Sequence, residues 1–262
     1  MSIIRELNHI AIRVSDMEAS LRLYRDLLGG TIIRNFKSED GAVRIVYIQL
    51  AEGVVELILG KPNEDGSNMG LQHIAFLTAF DTDIHQAVQT VRDAGYKITV
   101  EPKPGRSAPG MMAFFQDKGG CTYELLQREE DIRIPGLKNE RITEINHLSI
   151  RVDDETAEDT KNLLTNILGL KPDRHLQIGD ADWRSYRIGP DSIGLFNTKD
   201  KPRPEKTLAL IVFNVTDVFE MHKHLTESGI EVTEPRAAGI GDFHIIFATG
   251  PDGERLEFLD RK

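Results

Sequence analysis

At 262 residues the chain has room for one large domain or two of ordinary size, and its 40% hydrophobic content can fill packed cores, which excludes wholesale disorder. A formal net charge of −10 repels phosphate backbones and argues against a nucleic-acid partner. No stretch approaches the roughly 18 apolar residues of a membrane span, the opening "MSIIRELNHI" lacks a secretory pattern, and the lone Cys121 has no internal disulfide partner. The expectation is a cytoplasmic protein.

In chain order, "LNHIAIRV" at 7–14 predicts a strand with Ile10, Ile12 and Val14 on one face and Leu7, His9, Ala11 and Arg13 on the other. "SDMEASLRLYRDLLGG" follows as a helix, with Ser15 or Asp16 as N-cap and Leu21, Tyr24, Leu27 and Leu28 as its apolar stripe. "AVRIVYIQL" and "VVELIL" predict strands, the second with Glu56 amid apolar neighbours. The plan then repeats. "LQHIAF" places His73 on a strand, a helix ends at Ala94-Gly95, and "MMAFFQD" and "CTYELLQ" close the unit, with Glu124 on the last. "KPGRSAPGMM" between them predicts a mobile loop carrying Arg106.

The charged, Pro-Gly-bearing segment 129–142 predicts a linker. Beyond it "INHLSIRV" restates "LNHIAIRV", sharing Asn8/Asn146, His9/His147, Ile12/Ile150, Arg13/Arg151 and Val14/Val152. The chain therefore divides into halves 1–128 (modules 1–66 and 67–128) and 143–262 (modules 143–203 and 204–262). Each module reads as strand, helix and three strands, an α+β arrangement with helices on one face of a sheet. Four strands of the first half each carry one donor among apolar residues: His9, Glu56, His73 and Glu124. Burying two carboxylates beside two imidazoles is costly unless a divalent cation gathers them. These donors suit Zn, Ni, Fe, Mn or Co. His85, His222 and His224 fall on predicted helices as exposed residues, while His175 and His244 could border a pocket.

"NHIAIRVSDMEASLRLYRDLLGG", "GLQHIAF", "YELL" after "FFQDKGG", and "TGPDGERLEFLD" resemble the vicinal oxygen chelate superfamily, which includes glyoxalase I, methylmalonyl-CoA epimerase, extradiol dioxygenases and fosfomycin-resistance proteins. The resemblance spans the chain as two tandem domains. It implies four βαβββ modules, paired into curved, mainly antiparallel, cup-shaped sheets. One divalent metal would then be held by His9, Glu56, His73 and Glu124, a set similar to that of glyoxalase I. The implied activity is an isomerase, epimerase or lyase on a small molecule with adjacent oxygens, with Glu124 or Glu56 as base and Arg13 and Arg106 as substrate contacts. An Fe(II) extradiol-type dioxygenase and a non-catalytic ligand-sequestering protein are the alternatives. The chain would act as monomer or homodimer. Gly60 stands where glyoxalase I has asparagine, so glutathione is not assured. In the second half His147 and Glu257 match His9 and Glu124, while Gly194 and Thr207 are expected opposite Glu56 and His73, leaving a degraded site. Crossed pairing of modules would instead group His9, Glu56 and Glu257 in one site and His73, Glu124 and His147 in another.

Overall fold

The computed structural model describes residues 2–199 and 207–261, so the expected module boundary at 203/204 lies outside the described residues. The first module is β1 (Ile4–Val14), α1 (Met17–Leu21, continued by a wider π turn over Arg22–Leu27), β2 (Thr31–Lys37), β3 (Arg44–Leu50) and β4 (Gly53–Leu59). The second is β5 (Gly70–Thr78), α2 (Ile84–Asp93), β6 (Lys97–Pro104), β7 (Met111–Gln116) and β8 (Thr122–Gln127). The third is β9 (Ile142–Val152), α3 (Ala157–Asn162, with a π turn over Leu163–Ile167), β10 (Lys171–Ile178), β11 (Ala181–Ile188) and β12 (Asp191–Asn197). The fourth is β13 (Leu208–Val215), α4 (Val218–Glu227), β14 (Arg236–Ala237), β15 (His244–Thr249) and β16 (Arg255–Leu259). The expected order of strand, helix and three strands therefore holds four times.

Local chemistry explains the helix starts. Asp16, Asp83 and Asp217 each sit in extended backbone, and their carboxylates accept from N–H groups of the first turn, satisfying donors that the helix leaves open. Asp16, of the two expected caps, is the one used. In α3 the cap position is Thr156, whose N–H donates to Asp153 at 2.9 Å.

The strands form two eight-stranded sheets, ordered β2-β3-β4-β1-β5-β8-β7-β6 and β10-β11-β12-β9-β13-β16-β15-β14. The expected cup does not form. Each sheet is an open run whose order ends at β2 and β6, or at β10 and β14, and among the described residues no pairing joins those ends. The sheets are also mixed, since β1 pairs parallel to β4 and β5 parallel to β8. The physical reason for the correction is simple. Alternating hydrophobicity specifies which face of a strand is buried, whereas curvature depends on twist and bulges that alternation does not encode.

By compactness the chain divides into two units that do not follow the two halves of the sequence. One comprises Met1–His9, His73–Asp131 and Leu148–Ala209; the other comprises Ile10–Gln72, Ile132–His147 and Leu210–Lys262. In the first unit α2 buries Ile84, Ala87, Val88 and Val91, and Ile74, Phe76, Tyr123 and Leu125 are buried on β5 and β8. Tyr123 stacks with Phe115 at 5.2 Å and Phe76 at 6.4 Å, and its hydroxyl donates to Asp117 at 3.2 Å. Asp117 also accepts from Thr160 at 3.2 Å, tying the second module to the third.

In the second unit Tyr24 is wholly buried and donates to Glu254 at 2.9 Å, and Arg22 donates to the Ser228 carbonyl at 2.7 Å. The segment expected as a linker is fastened here. Gln49 exchanges hydrogen bonds with the Ile134 backbone at 2.9 and 2.7 Å, and Asn139 donates to the Leu28 carbonyl at 2.9 Å.

Candidate metal centre

The period-two alternation of β1, β5 and β8 places His9, His73 and Glu124 on equivalent faces of their strands. In the β5–β8 pair Ala75 lies level with Glu124 and His73 with Thr122, so the long glutamate side chain reaches back toward the histidine. All three belong to the first compact unit. Their donor atoms lie within 4.8 Å of one another, and the residues are only 1%, 6% and 4% exposed. Glu124 Oε2 stands 3.3 Å from His9 Nε2 and 3.2 Å from His73 Nε2. The two imidazole rings are 5.6 Å apart and inclined at 70°. Phe114, opposite Glu124 in β7, packs its ring edge to face with His73 at 5.0 Å.

This arrangement fits a divalent cation. Two ligand bonds of about 2.0–2.1 Å separated by ordinary coordination angles put their donors about 3 Å apart, and the separations here are 3.2 and 3.3 Å. His9 Nδ1–H donates to the Asn8 side-chain oxygen at 2.8 Å, which leaves Nε2 as a lone pair facing the carboxylate. A bare imidazole nitrogen aimed at an oxyanion is repelled unless positive charge, from a bound cation or from protons on the rings, lies between them. Burial alone would raise the Glu124 pKa. Hydrogen bonding and charge attraction, from His73 and then His9, overcome it and bring the group down to about 2, so the carboxylate is ionised and ready to bind a cation.

The triad joins residues of the first two modules. That is the adjacent grouping, since crossed pairing would have put His73 and Glu124 with His147 and left His9 elsewhere. Glu56 is buried at 5% exposure and belongs to the other compact unit, where its Cα lies level with Ala11 of β1 and Tyr47 of β3. Arg13 belongs to that unit as well. Its Nε is buried without a hydrogen-bond partner among the described residues, and a Cβ at Gly60 would come within 2.3 Å of it. Glycine at 60, where asparagine was expected, is thus what lets the guanidinium lie there. Gly60→Asn should cost about 1–3 kcal/mol through overpacking, and Arg13→Ala in the same chain should recover most of it in urea unfolding.

Arg106 is exposed at a hairpin tip between β6 and β7. The tip is not the loose flap that its composition suggests. Ser107 and Ala108 are buried, and Gly105 N–H donates to the Gly110 carbonyl at 2.9 Å.

In the second half β12 lies level with β9 so that Gly194 faces Ser149, just as Glu56 faces Ala11, which confirms Gly194 as the counterpart of Glu56. The other expected counterpart is corrected. Glu257 lies level with Val212 as Glu124 does with Ala75, so Leu210, not Thr207, stands where His73 stands. The signal was present as "HIAF" over "LIVF". Burial pushes His147 down to about 4, aided by the charge of Arg261. Burial pushes Glu257 up to about 7 against the pull of Arg236 and Arg255. A neutral acid beside a leucine is a poor metal ligand. Of the helical histidines expected to be exposed, His85 is, whereas His222 and His224 are half-buried, with His224 Nε2 3.0 Å from the Leu27 carbonyl; His175 pairs with Asp182. His244 starts β15, its N–H donating to Asp260 at 2.7 Å.

Residues 6–125 and 144–258 match the profile of the Glyoxalase/Bleomycin resistance protein/Dioxygenase superfamily. A probable lactoylglutathione lyase of Synechocystis is 32% identical over 127 residues, 46% of this chain and 94% of the lyase. Solved structures match the whole chain in fold. The 2,3-dioxygenase LapB of Pseudomonas sp. KL28 superposes with a TM-score of 0.73 at 16% identity, covering 100% of this chain and 93% of its own. The Mn(II)-bound glyoxalase of Novosphingobium aromaticivorans gives 0.72 at 20% identity, covering 99% and 83%. No helix among the described residues is long and apolar enough to cross a membrane. Two matched segments, a twice-written module pair and a buried His-His-Glu triad make this a metal-dependent enzyme, and the chain belongs to the glyoxalase/bleomycin resistance/dioxygenase superfamily.

Proposed function

We propose that the chain is an extradiol-type, ring-cleaving dioxygenase that holds Fe(II) at His9, His73 and Glu124 and acts on a small aromatic diol. The observation that carries this reading is the donor set itself: two imidazoles and one carboxylate, gathered from three strands. Fe(II) held by His9, His73 and Glu124 would supply Lewis acidity to the diol and redox chemistry toward O2. The chain's own residues supply the rest. Glu124 remains ionised, so it offsets cationic charge without taking the substrate's proton. On the same face of β5 and β8, Ala75, Leu77 and Leu126 form an apolar cluster with Met112 packed against it, a surface suited to an aromatic ring that excludes water. Full-length likeness to dioxygenases such as the 2,3-dioxygenase LapB supports the reading at the level of fold.

A second reading rests on a separate observation, the buried carboxylate of Glu56. With Glu56 as a fourth donor, Zn, Ni, Mn or Co would suit the centre. Glu124 or Glu56 would then take a proton beside a chelated carbonyl, as lyases and epimerases do. The half-chain likeness to a lactoylglutathione lyase supports it. In either reading the substrate is a small molecule, and Arg106, in the same unit as the triad, would contact it.

The readings separate in one experiment. Protein loaded anaerobically with Fe(II) is given a panel of catechols and then O2. The dioxygenase reading expects oxygen uptake matched mole for mole by ring-opened product. Solvent deuterium appearing in α-hydroxy-carbonyl substrates without oxygen uptake would instead establish the isomerase or lyase.

A further inference from the structure

We infer that Asn8 and Arg128 are positioning residues that hold His9 in the one tautomer able to bind a cation, and that they thereby set the affinity of the centre. The inference rests on the metal-centre reading above. The Asn8 side-chain oxygen accepts from His9 Nδ1–H at 2.8 Å and from Arg128 Nη1 at 3.2 Å. A guanidinium only donates, so the amide atom facing it must be oxygen. The same oxygen faces His9, so Nδ1 must carry a proton, and in the neutral ring Nε2 is the bare nitrogen. Were the amide reversed, its NH2 would face Nδ1, the ring proton would move to Nε2, and the lone pair that a metal needs would be lost. Reversal would also set two donors against each other at Arg128. Asn8 is 4% exposed, which leaves little room for water to stand in for the missing acceptor.

The parts of this clamp are themselves fixed by the fold. Arg128 follows β8 directly, so the strand that presents Glu124 also presents the arginine. The hairpin tip closes over the arginine's stem at Gly110. A Cβ at Gly110 would lie 2.9 Å from Arg128 Cγ and 2.3 Å from the Gln127 carbonyl. Asn8 and Arg128 are 120 residues apart in sequence, and neither is a donor to the cation.

The second half offers an internal control. His147 Nδ1 meets the Asn146 side-chain oxygen at the same 2.8 Å, and Arg261 stands four residues after Glu257 as Arg128 does after Glu124. There the guanidinium lies 5.8 Å over the Phe243 ring. The Asn146 amide is instead held from its nitrogen, which donates to Asn214 at 3.1 Å. Asn214 in turn donates to the Glu144 carboxylate, so both halves fix the asparagine oxygen toward the histidine, the first through the Arg128 cation and the second through an amide relay.

The test compares full-length wild type with Arg128→Met, Arg128→Lys and Asn8→Leu. Nitrogen-15 spectra of metal-free protein read the His9 tautomer, and chelator competition reads the apparent Kd for Zn(II) and Co(II). Wild type is expected to keep a proton on Nδ1 in its hydrogen bond to Asn8, with any second proton entering at Nε2 toward Glu124. Arg128→Met should show a mixture and bind each metal about 10–100-fold more weakly, with Arg128→Lys recovering part of the loss. Asn8→Leu should shift the proton to Nε2. A His9 tautomer and a Kd unchanged in Arg128→Met would overturn the inference. A wild type that bound neither metal would overturn the metal centre, while the tautomer spectra would still decide the roles of Asn8 and Arg128.

Discussion

His73→Ala should strip the chain of its metal. Protein purified without chelator is expected to carry roughly one divalent ion per chain, and the variant less than about a tenth of that. The size of the effect follows from the donor count. With three donors gathered by His9, His73 and Glu124, removing one leaves an imidazole and a carboxylate, too few protein donors to hold a divalent ion firmly.

The variant should also unsettle Glu124. His73 is the first of the two groups that hold its pKa down to about 2 against burial. A carboxylate whose folded pKa lies below its ordinary 4.5 adds stability above pH 4.5 that is lost as pH falls toward 2. His73→Ala should forfeit part of this at neutral pH. Two companion variants localise the centre. His147→Ala is expected to keep its metal, and metal retained in His73→Ala but lost in His147→Ala would move the centre to the second half. Glu56→Gln decides the donor count. Unchanged metal content fits a three-donor site and the oxygenase reading, whereas a loss as deep as that of His73→Ala makes Glu56 a ligand and favours the isomerase or lyase.

How much of this was readable from the chain depends on what each pattern encodes. Strand alternation has a period of two, so the faces of His9, His73 and Glu124 could be assigned from "NHIAI", "QHIAF" and "YELLQ", and the structure gathers those three. The fourfold module followed from cap, helix and glycine punctuation, which are local. Sheet closure was not readable, because curvature is a sum of twists and bulges, such as the register shifts at Ile32/Arg34 and Val100/Lys103. Neither was the counterpart of His73 read correctly. After Thr207 "TLALIVF" is apolar throughout, so no polar residue marks the frame, and the pairing of Val212 with Glu257 is what places Leu210 opposite His73. Arg128 was hidden for another reason. It opens the charged run "REED", whose composition marks a solvated connector, yet its guanidinium turns back to Asn8.

The loss of one histidine in the second half makes the two glutamates opposites, and this leads to the other large expected effect. Glu124 is held to about 2, whereas Glu257, at the same place in its module but beside Leu210, is pushed up to about 7 by burial. His147 is pushed down to about 4, first by burial and then by Arg261. The signs of the two contributions oppose each other. Glu257 binds its proton more tightly folded than unfolded, so its contribution is fully present below its ordinary 4.5 and is lost as pH rises through 7. His147 binds its proton less tightly folded than unfolded, so its contribution is present above its ordinary 6.5 and is lost as pH falls through 4. Each amounts to about 3 kcal/mol at most, and between pH 4.5 and 6.5 they cancel. Wild-type stability from this pair should therefore be level across that window. Glu257→Gln leaves only the histidine, so its stability should climb with pH up to 6.5. At pH 8 it should exceed wild type by about 1–3 kcal/mol, or about 2–4 °C in Tm for each kcal/mol. His147→Gln leaves only the glutamate, and its stability should fall from pH 4.5 to 7. Urea unfolding at closely spaced pH values checks both. Both groups are partly buried, and parallel profiles for the two variants would mean that their surroundings do not shift them in opposite directions.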